Sequence, residues 1–104
     1  MLIIAGSLSF DARDREDVLA SLSEITTLSR NDPGCVEYWW AEDVDARNTF
    51  RFFECWESQE LFDAHIAQPH EVAFGERNLT RISGATASFF EASPTAPIGL
   101  PSAG

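Results

Sequence analysis

The spacing of apolar and polar residues along this chain changes several times, and each change predicts an element. Leu2 to Ser9 is an apolar run closed by small residues, which reads as a strand, and Asp11 offers a helix N-cap before Ala12. From Ala12 to about Arg30, Val18, Leu22, Ile25 and Leu28 recur at helical spacing on one face, while Asp14 and Glu16 suit the N-terminal end of an amphipathic helix. Asn31-Asp32-Pro33-Gly34 stops it, because proline lacks an amide hydrogen and glycine takes up the left-handed cap conformation. The period then falls to two: Val36, Tyr38 and Trp40 alternate with Cys35, Glu37 and Trp39 in a strand that ends near Asp43, and Glu42 to Asn48 reads as a polar loop. Thr49 to Glu57 alternates again, with Phe50, Phe52, Glu54 and Trp56 on one face and Arg51, Phe53, Cys55 and Glu57 on the other. Ser58 caps the next helix, whose stripe is Leu61, Phe62, His65 and Ile66, until Pro69 interrupts it. A further helical segment from about Glu71 to Arg81 carries Val72, Leu79 and Ile82 inward, and Ala85 to Ala92, with Phe89 and Phe90, is the last strand.

The order β-α-β-β-α-β with right-handed crossovers predicts an α+β, ferredoxin-like fold: a four-stranded antiparallel sheet with helices on one side. Tyr38, Trp39, Trp40 and the phenylalanines are spread over both faces of that sheet. An uncovered face would put a large apolar patch in water, so the expected partner is a second copy, a homodimer through the sheet face. Residues 1–93 read as one domain. Residues 94–104, PTAPIGLPSAG, form a proline-rich tail that is either a disordered end or an arm lying on the partner subunit.

Composition narrows the function classes. The chain has 104 residues, 44% of them hydrophobic, enough for one packed core. Its net charge is −10 and its seven basic residues are all arginine, which argues against nucleic acid and anionic membrane surfaces as partners. The apolar run in MLIIAGSLSF is too short for a secretion signal or a membrane span, and the expected location is cytoplasmic. Cys35 and Cys55 stand twenty residues apart without a CxxC pattern and read as small apolar filler. There is no phosphate-binding glycine loop, no dinucleotide fingerprint and no Cys/His set at metal spacing, so neither cofactor nor metal is expected.

What remains is a constellation of Glu54, Trp56, His65 and His70. Glu54 shares its strand face with Phe50, Phe52 and Trp56; a carboxylate in such company is either paired, with Arg51 or Arg81, or has the raised pKa of a general acid or base. His65 lies on the stripe facing the sheet and is either a satisfied core histidine or a proton acceptor beside a cavity. His70 follows Pro69 and either caps and bridges or takes part in the site. Trp56 is core packing or the wall of a pocket for a flat ligand.

The order of these residues resembles the antibiotic biosynthesis monooxygenase family, especially its quinol-monooxygenase-like branch of small dimeric α+β barrels. The resemblance is carried by Pro33-Gly34-Cys35 with Tyr38, by Glu54-Cys55-Trp56-Glu57-Ser58, and by Ala64-His65, Pro69-His70 and Ala73-Phe74. It implies a cofactor-independent monooxygenase oxidising a small quinol or polyphenol with dioxygen. In that role His65 is the proton acceptor or oxygen anchor, Glu54 a supporting acid or base, and Trp56 the pocket wall; Phe52, Phe62 and Phe74 line the pocket, with Tyr38 and His70 beside it. The alternative is a non-enzymatic dimeric barrel that holds a small aromatic molecule. Phe52 and Phe62 stand where the anthrone-oxidising branch has Asn and Tyr, which reduces that branch's polar oxygen-activating set to Trp56; Gly75 stands where the haem-degrading branch has its iron-ligating histidine and His65 where it has Trp, so the resemblance does not extend to haem degradation.

Overall fold

The computed structural model describes residues 1–96 and residue 99. Strand β1 (Leu2–Phe10) leads through a 3-10 turn (Ala12–Asp14) into helix α1 (Arg15–Ser29), followed by the strands β2 (Cys35–Asp43) and β3 (Ala46–Trp56). Helices α2 (Gln59–Ile66) and α3 (Pro69–Asn78) come next, then a second 3-10 turn (Leu79–Arg81) and β4 (Ile82–Glu91). The four strands form one antiparallel sheet in the order β2-β3-β1-β4, the ferredoxin-like arrangement that the alternating pattern predicts.

Directly opposed residues of an antiparallel pair share a face, so the register assigns the two faces of the sheet. Leu2 and Ile4 pair with Trp56 and Glu54 on one side and with Glu91 and Phe89 on the other, while Tyr38 and Trp40 pair with Glu54 and Phe52. These residues make the helix-covered face. Its core has two halves. One is wholly apolar, with Phe10, Val18, Leu22 and Phe50; the other holds Leu2, Ile4, Ile25, Tyr38 and Trp56. Trp40 and Phe74 pack against both.

Local chemistry explains the ends of the elements. Asp11 accepts from the Arg13 amide and Ser58 from the Leu61 amide, each supplying an acceptor at a helical start. Gly34 has φ +81, and a Cβ there would collide with the Leu61 side chain, so only glycine lets this turn lie under α2. That close approach brings the preceding Asp32 within reach of α2 and α3.

Several sequence expectations need correction. The polar stretch from Glu42 to Asn48 is mostly strand, leaving Val44 and Asp45 as the connection between β2 and β3. Glu42 organises it: Arg15 donates to both carboxylate oxygens at 2.6 and 2.8 Å, and the Asn48 amide donates at 2.8 Å. The Arg15 hydrogen bonds and the Asn48 amide hold that carboxyl down at about 2. In α3 the inward residues are Phe74 and Asn78 rather than Val72 and Leu79. Val72 lies two positions from Phe74, roughly 200° around the helix, and Leu79, in the 3-10 turn past the helix end, is 71% exposed. In α1 the buried stripe is Val18, Ser21, Leu22, Ile25 and Ser29, and Leu28 stands partly in water beside it.

The other face of the sheet carries Ile3, Phe53, Trp39 and Phe90. Trp39 stacks on Phe53 with ring centres 5.8 Å apart, and Phe90 is 54% exposed. No helix among the described residues is long and apolar enough to cross a membrane. The expected arm on a partner subunit falls largely on residues 97, 98 and 100–104, outside the described residues.

Candidate functional site

Five ionisable side chains from four pieces of the fold meet at one end of the helix-covered face. Asp32 comes from the turn after α1, Glu54 from β3, His65 from the last turn of α2, and His70 and Glu71 from the first turn of α3. His65 is the centre. Its ring lies on Trp56 with centroids 4.4 Å apart and 28° between planes, and Tyr38 meets it edge-on at 6.0 Å. His65 is 2% exposed and Trp56 0%, so α2 packs these two rings against the sheet without intervening space. The sequence expectation of a cavity facing His65 therefore needs correction: the helical stripe does turn it inward, but Trp56 fills the space it enters.

Hydrogen bonding divides the cluster in two. On one side His65 Nδ1 and His70 Nε2 each lie 2.8 Å from the same Asp32 oxygen, Oδ2. On the other, His65 Nε2 faces Glu54 Oε1 at 3.6 Å and Glu71 Oε2 at 3.5 Å, close enough for electrostatic coupling but too long for hydrogen bonds. Glu54 has neither of the arginine partners weighed from sequence: Arg51 bonds Asp43 and Arg81 bonds Asp17 and Asn78. It accepts a hydrogen bond from Trp56 Nε1 at 3.1 Å instead.

Burial pushes the Glu54 carboxyl up to about 7, against the Trp56 hydrogen bond that pulls it down, and the neighbouring Glu71 charge adds to the rise. Glu71 is raised too, first by its own burial, with His65 and His70 acting in the opposite direction. Burial raises the Tyr38 hydroxyl above its ordinary range, so it remains a phenol; Trp40 Nε1 donates to it at 3.1 Å. An acid of pKa near 7 is poised to exchange protons at neutral pH, which a carboxyl in water at its ordinary value is not.

Among the described residues, Asp32, His65 and His70 place an oxygen and two nitrogens within 4.8 Å of one another, the residue types and spacing of a cation site. Sequence spacing could not show this set, because its members are 33 and 38 residues from Asp32. Both rings turn onto one carboxylate oxygen at hydrogen-bond length, the arrangement of two N–H donors sharing an acceptor.

The cluster reaches the surface through two of its acids. Glu54 keeps 12% of its side chain exposed and Glu71 30%, against 1% for His65. On the same sheet face Ala85, Ala87 and Phe89 of β4 stand in water, and Phe62 of α2 touches Phe89 edge-on at 6.0 Å. Phe52 and Phe62 are half-buried at the border of this strip; Phe62 also packs against Trp56 at 6.3 Å, and Phe52 lies on Trp40 at 4.8 Å. Phe74 and Tyr38 sit elsewhere. Phe74 lies between α1 and α3 against Trp40, and Tyr38 is buried below His65. Cys55 points to the opposite sheet face, where its thiol approaches the Met1 sulfur at 3.9 Å.

Asp32 and Glu71 were not among the residues singled out from sequence. Asp32 read as part of a helix stop and Glu71 as the approximate start of a helical segment; the only signal was that each adjoins a residue carrying the family resemblance, Pro33 and His70.

Comparison with known proteins gives one family and one fold. The family described as antibiotic biosynthesis monooxygenase matches residues 1–77. The uncharacterized protein sll1783 of Synechocystis is 30% identical over 77 residues, 74% of this chain, and the match spans 52%, about half, of that relative's length. A candidate antibiotic biosynthesis monooxygenase from Deinococcus radiodurans superposes with a TM-score of 0.86 at 23% identity, covering 94% of this chain and 98% of its own. Rv0793 from Mycobacterium tuberculosis superposes with a TM-score of 0.83 at 18% identity over 92% and 98% of the two chains.

Proposed function

Because this chain belongs to the antibiotic biosynthesis monooxygenase family, we propose that it is a monooxygenase that oxidises a small quinol or polyphenol with dioxygen, and that it needs no bound cofactor. The observation that carries this reading is Glu54, a buried carboxyl with a pKa of about 7, hydrogen-bonded to Trp56 and facing His65 at the edge of an open aromatic strip.

The substrate ring lies against Phe62, Phe52 and Phe89 and presents a hydroxyl to Glu54. Trp56 stands behind the acid and orients it, instead of contacting the ring directly. Glu54 takes the phenolic proton, with His65 as the group that shares it. The resulting phenolate is electron-rich enough to pass one electron to dioxygen, and the radical pair joins as a bond between a ring carbon and oxygen. The peroxide so formed takes a proton back from Glu54; the ring carbon that bears it then gives up its hydrogen as the O–O bond breaks, so that a carbonyl is left and the hydroxide leaves as water. One quinol and one dioxygen give one hydroxyquinone and one water. The apolar strip protects the radical pair from solvent. Tyr38 and His70 support the rings and acids of the site, and Phe74 supports the helix that carries His70.

The working unit in this reading is residues 1–93, paired with a second copy through the sheet face that bears Trp39, Phe53 and Phe90, with residues 94–104 as an appendage. Free Cys35 and Cys55 suit the reducing cytoplasm.

The test is oxygen uptake with a panel of naphthohydroquinones, catechols and anthrones in chelator-treated buffer. Wild type should exceed the buffer rate on at least one compound, and Glu54→Gln and His65→Ala should each lower that excess roughly 10²–10⁴-fold. A second reading, a binding protein without turnover, draws on the closed packing of Trp56 and His65. It prevails if the whole panel matches buffer while one compound still raises the melting temperature.

A further inference from the structure

We propose that Asp32 is a positioning residue that fixes His65 as the tautomer protonated on Nδ1, so that the Nε2 lone pair is aimed at Glu54 and Glu71. This rests on the reading of Glu54 as the acid that exchanges the substrate proton, and it assigns a task to a residue that makes no contact with the substrate strip.

The geometry of a single oxygen atom leads to this assignment. Asp32 Oδ2 receives His65 Nδ1 and His70 Nε2, both at 2.8 Å, and the Asp32 side chain is 8% exposed. An ionised carboxylate only accepts hydrogen bonds, so a nitrogen held at that distance must bring a hydrogen. Two such nitrogens converge here, and each therefore has its proton on the Asp32 side. For a neutral His65 the consequence is forced: with Nδ1 protonated, Nε2 carries the lone pair.

The groups facing Nε2 agree with this. Glu54 and Glu71 lie at 3.6 and 3.5 Å, and Trp56 and Tyr38 close the ring faces and edge. A lone pair aimed at this side can accept a proton that either carboxyl passes on. The two acids on this side are the ones that burial raises. Nδ1 has the anion; Nε2 has the acids. His70 completes the device from α3. Its ring nitrogen donates to the same oxygen, so the Asp32 carboxylate is held between the two rings and orients His65. The arrangement is that of a carboxylate–histidine–acid series, in which the buried carboxylate sets the tautomer and the opposite nitrogen handles the proton. The gap from Nε2 to Glu54 closes when the carboxyl turns toward the ring on substrate binding, as unliganded catalytic contacts commonly do.

Nitrogen NMR of protein labelled at histidine side chains tests this without any substrate. Where the ring is neutral, wild-type His65 should carry its proton on Nδ1, and Asp32→Asn should move it to the Nε2-protonated tautomer or to an exchanging mixture. In oxygen uptake on a responsive quinol, Asp32→Asn should lower kcat roughly 10²–10⁴-fold with KM nearly unchanged. His70→Gln should leave the His65 tautomer in place. A neutral wild-type His65 protonated on Nε2 overturns the proposal, as does an Asp32→Asn protein with unchanged His65 resonances. If Asp32→Asn does not fold, the wild-type spectrum alone decides. If no quinol is consumed but the tautomer is as stated, the positioning role stands and the oxidation reading fails.

Discussion

The two halves of the helix-covered core are built from the same elements but on opposite terms. Around Phe10, Val18, Leu22 and Phe50 the core is a cluster of apolar side chains, and Phe10 and Phe50 pack ring to ring at 6.3 Å. Around Trp56 the core contains a fully buried histidine and, within hydrogen-bonding or Coulombic reach of it, three carboxyls and a second histidine. Burying ionisable groups costs free energy that apolar packing does not. The first half therefore supplies stability and the second spends some of it to hold groups at shifted proton affinity, a pattern typical of sites that do chemistry.

The largest effect should come from breaking the apolar half. Phe50→Ala removes a buried ring and leaves a cavity, and should cost about 3–5 kcal/mol in urea unfolding, a substantial part of a small domain's stability. His65 should keep its tautomer in whatever fraction stays folded.

Next is the pH dependence of the ionisable half. Glu54 ionises near 4.5 in the unfolded chain and near 7 when folded, so between those values the folded state holds a proton that the unfolded state has lost. Its contribution is complete below the lower value and declines as pH rises toward the upper one, by roughly 3 kcal/mol at most. Glu71 is shifted in the same direction and adds to the slope. Glu54→Gln should flatten that part of the unfolding free energy between about pH 4.5 and pH 7, measured by denaturant titration at several pH values. An unchanged slope would mean that the second half pays no such cost.

The sheet's other face tests whether a third surface matters to both. Phe90→Glu places a charge where the proposed partner packs, and should convert a dimer to a monomer in sedimentation velocity while leaving the helix-side core intact. The smallest effect belongs to Leu79→Ser, within about 0.5 kcal/mol of wild type, since that leucine is mostly in water. A large loss there would show that the inward assignment from sequence was right after all.

Much of this architecture was legible in the chain because local rules agree with the fold. Alternation over Val36–Trp40 and Phe50–Trp56 predicts strands, and the register places Glu54 and Trp56 on one face as that alternation requires. The His65 stripe predicts an inward ring. Where a residue's partners come from distant parts of the chain, the prediction fails: Val72 and Leu79 look like core by composition, yet α3 turns Phe74 and Asn78 inward, Phe74 against Trp40 of β2.

The sequence by itself determined the order and type of the elements, the sheet face on which the aromatics of β2 and β3 lie, and the resemblance that led to the family. These depend on periods of two and 3.6 and on caps and breakers a few residues apart. Only the tertiary structure decided that Asp32, in a turn, would sit 2.8 Å from both histidines, and that Glu54 would find Trp56 and His65 instead of an arginine. Proton affinity is set by what surrounds a group in space, by burial and by charges a few ångströms away. No local period along the chain encodes those distances.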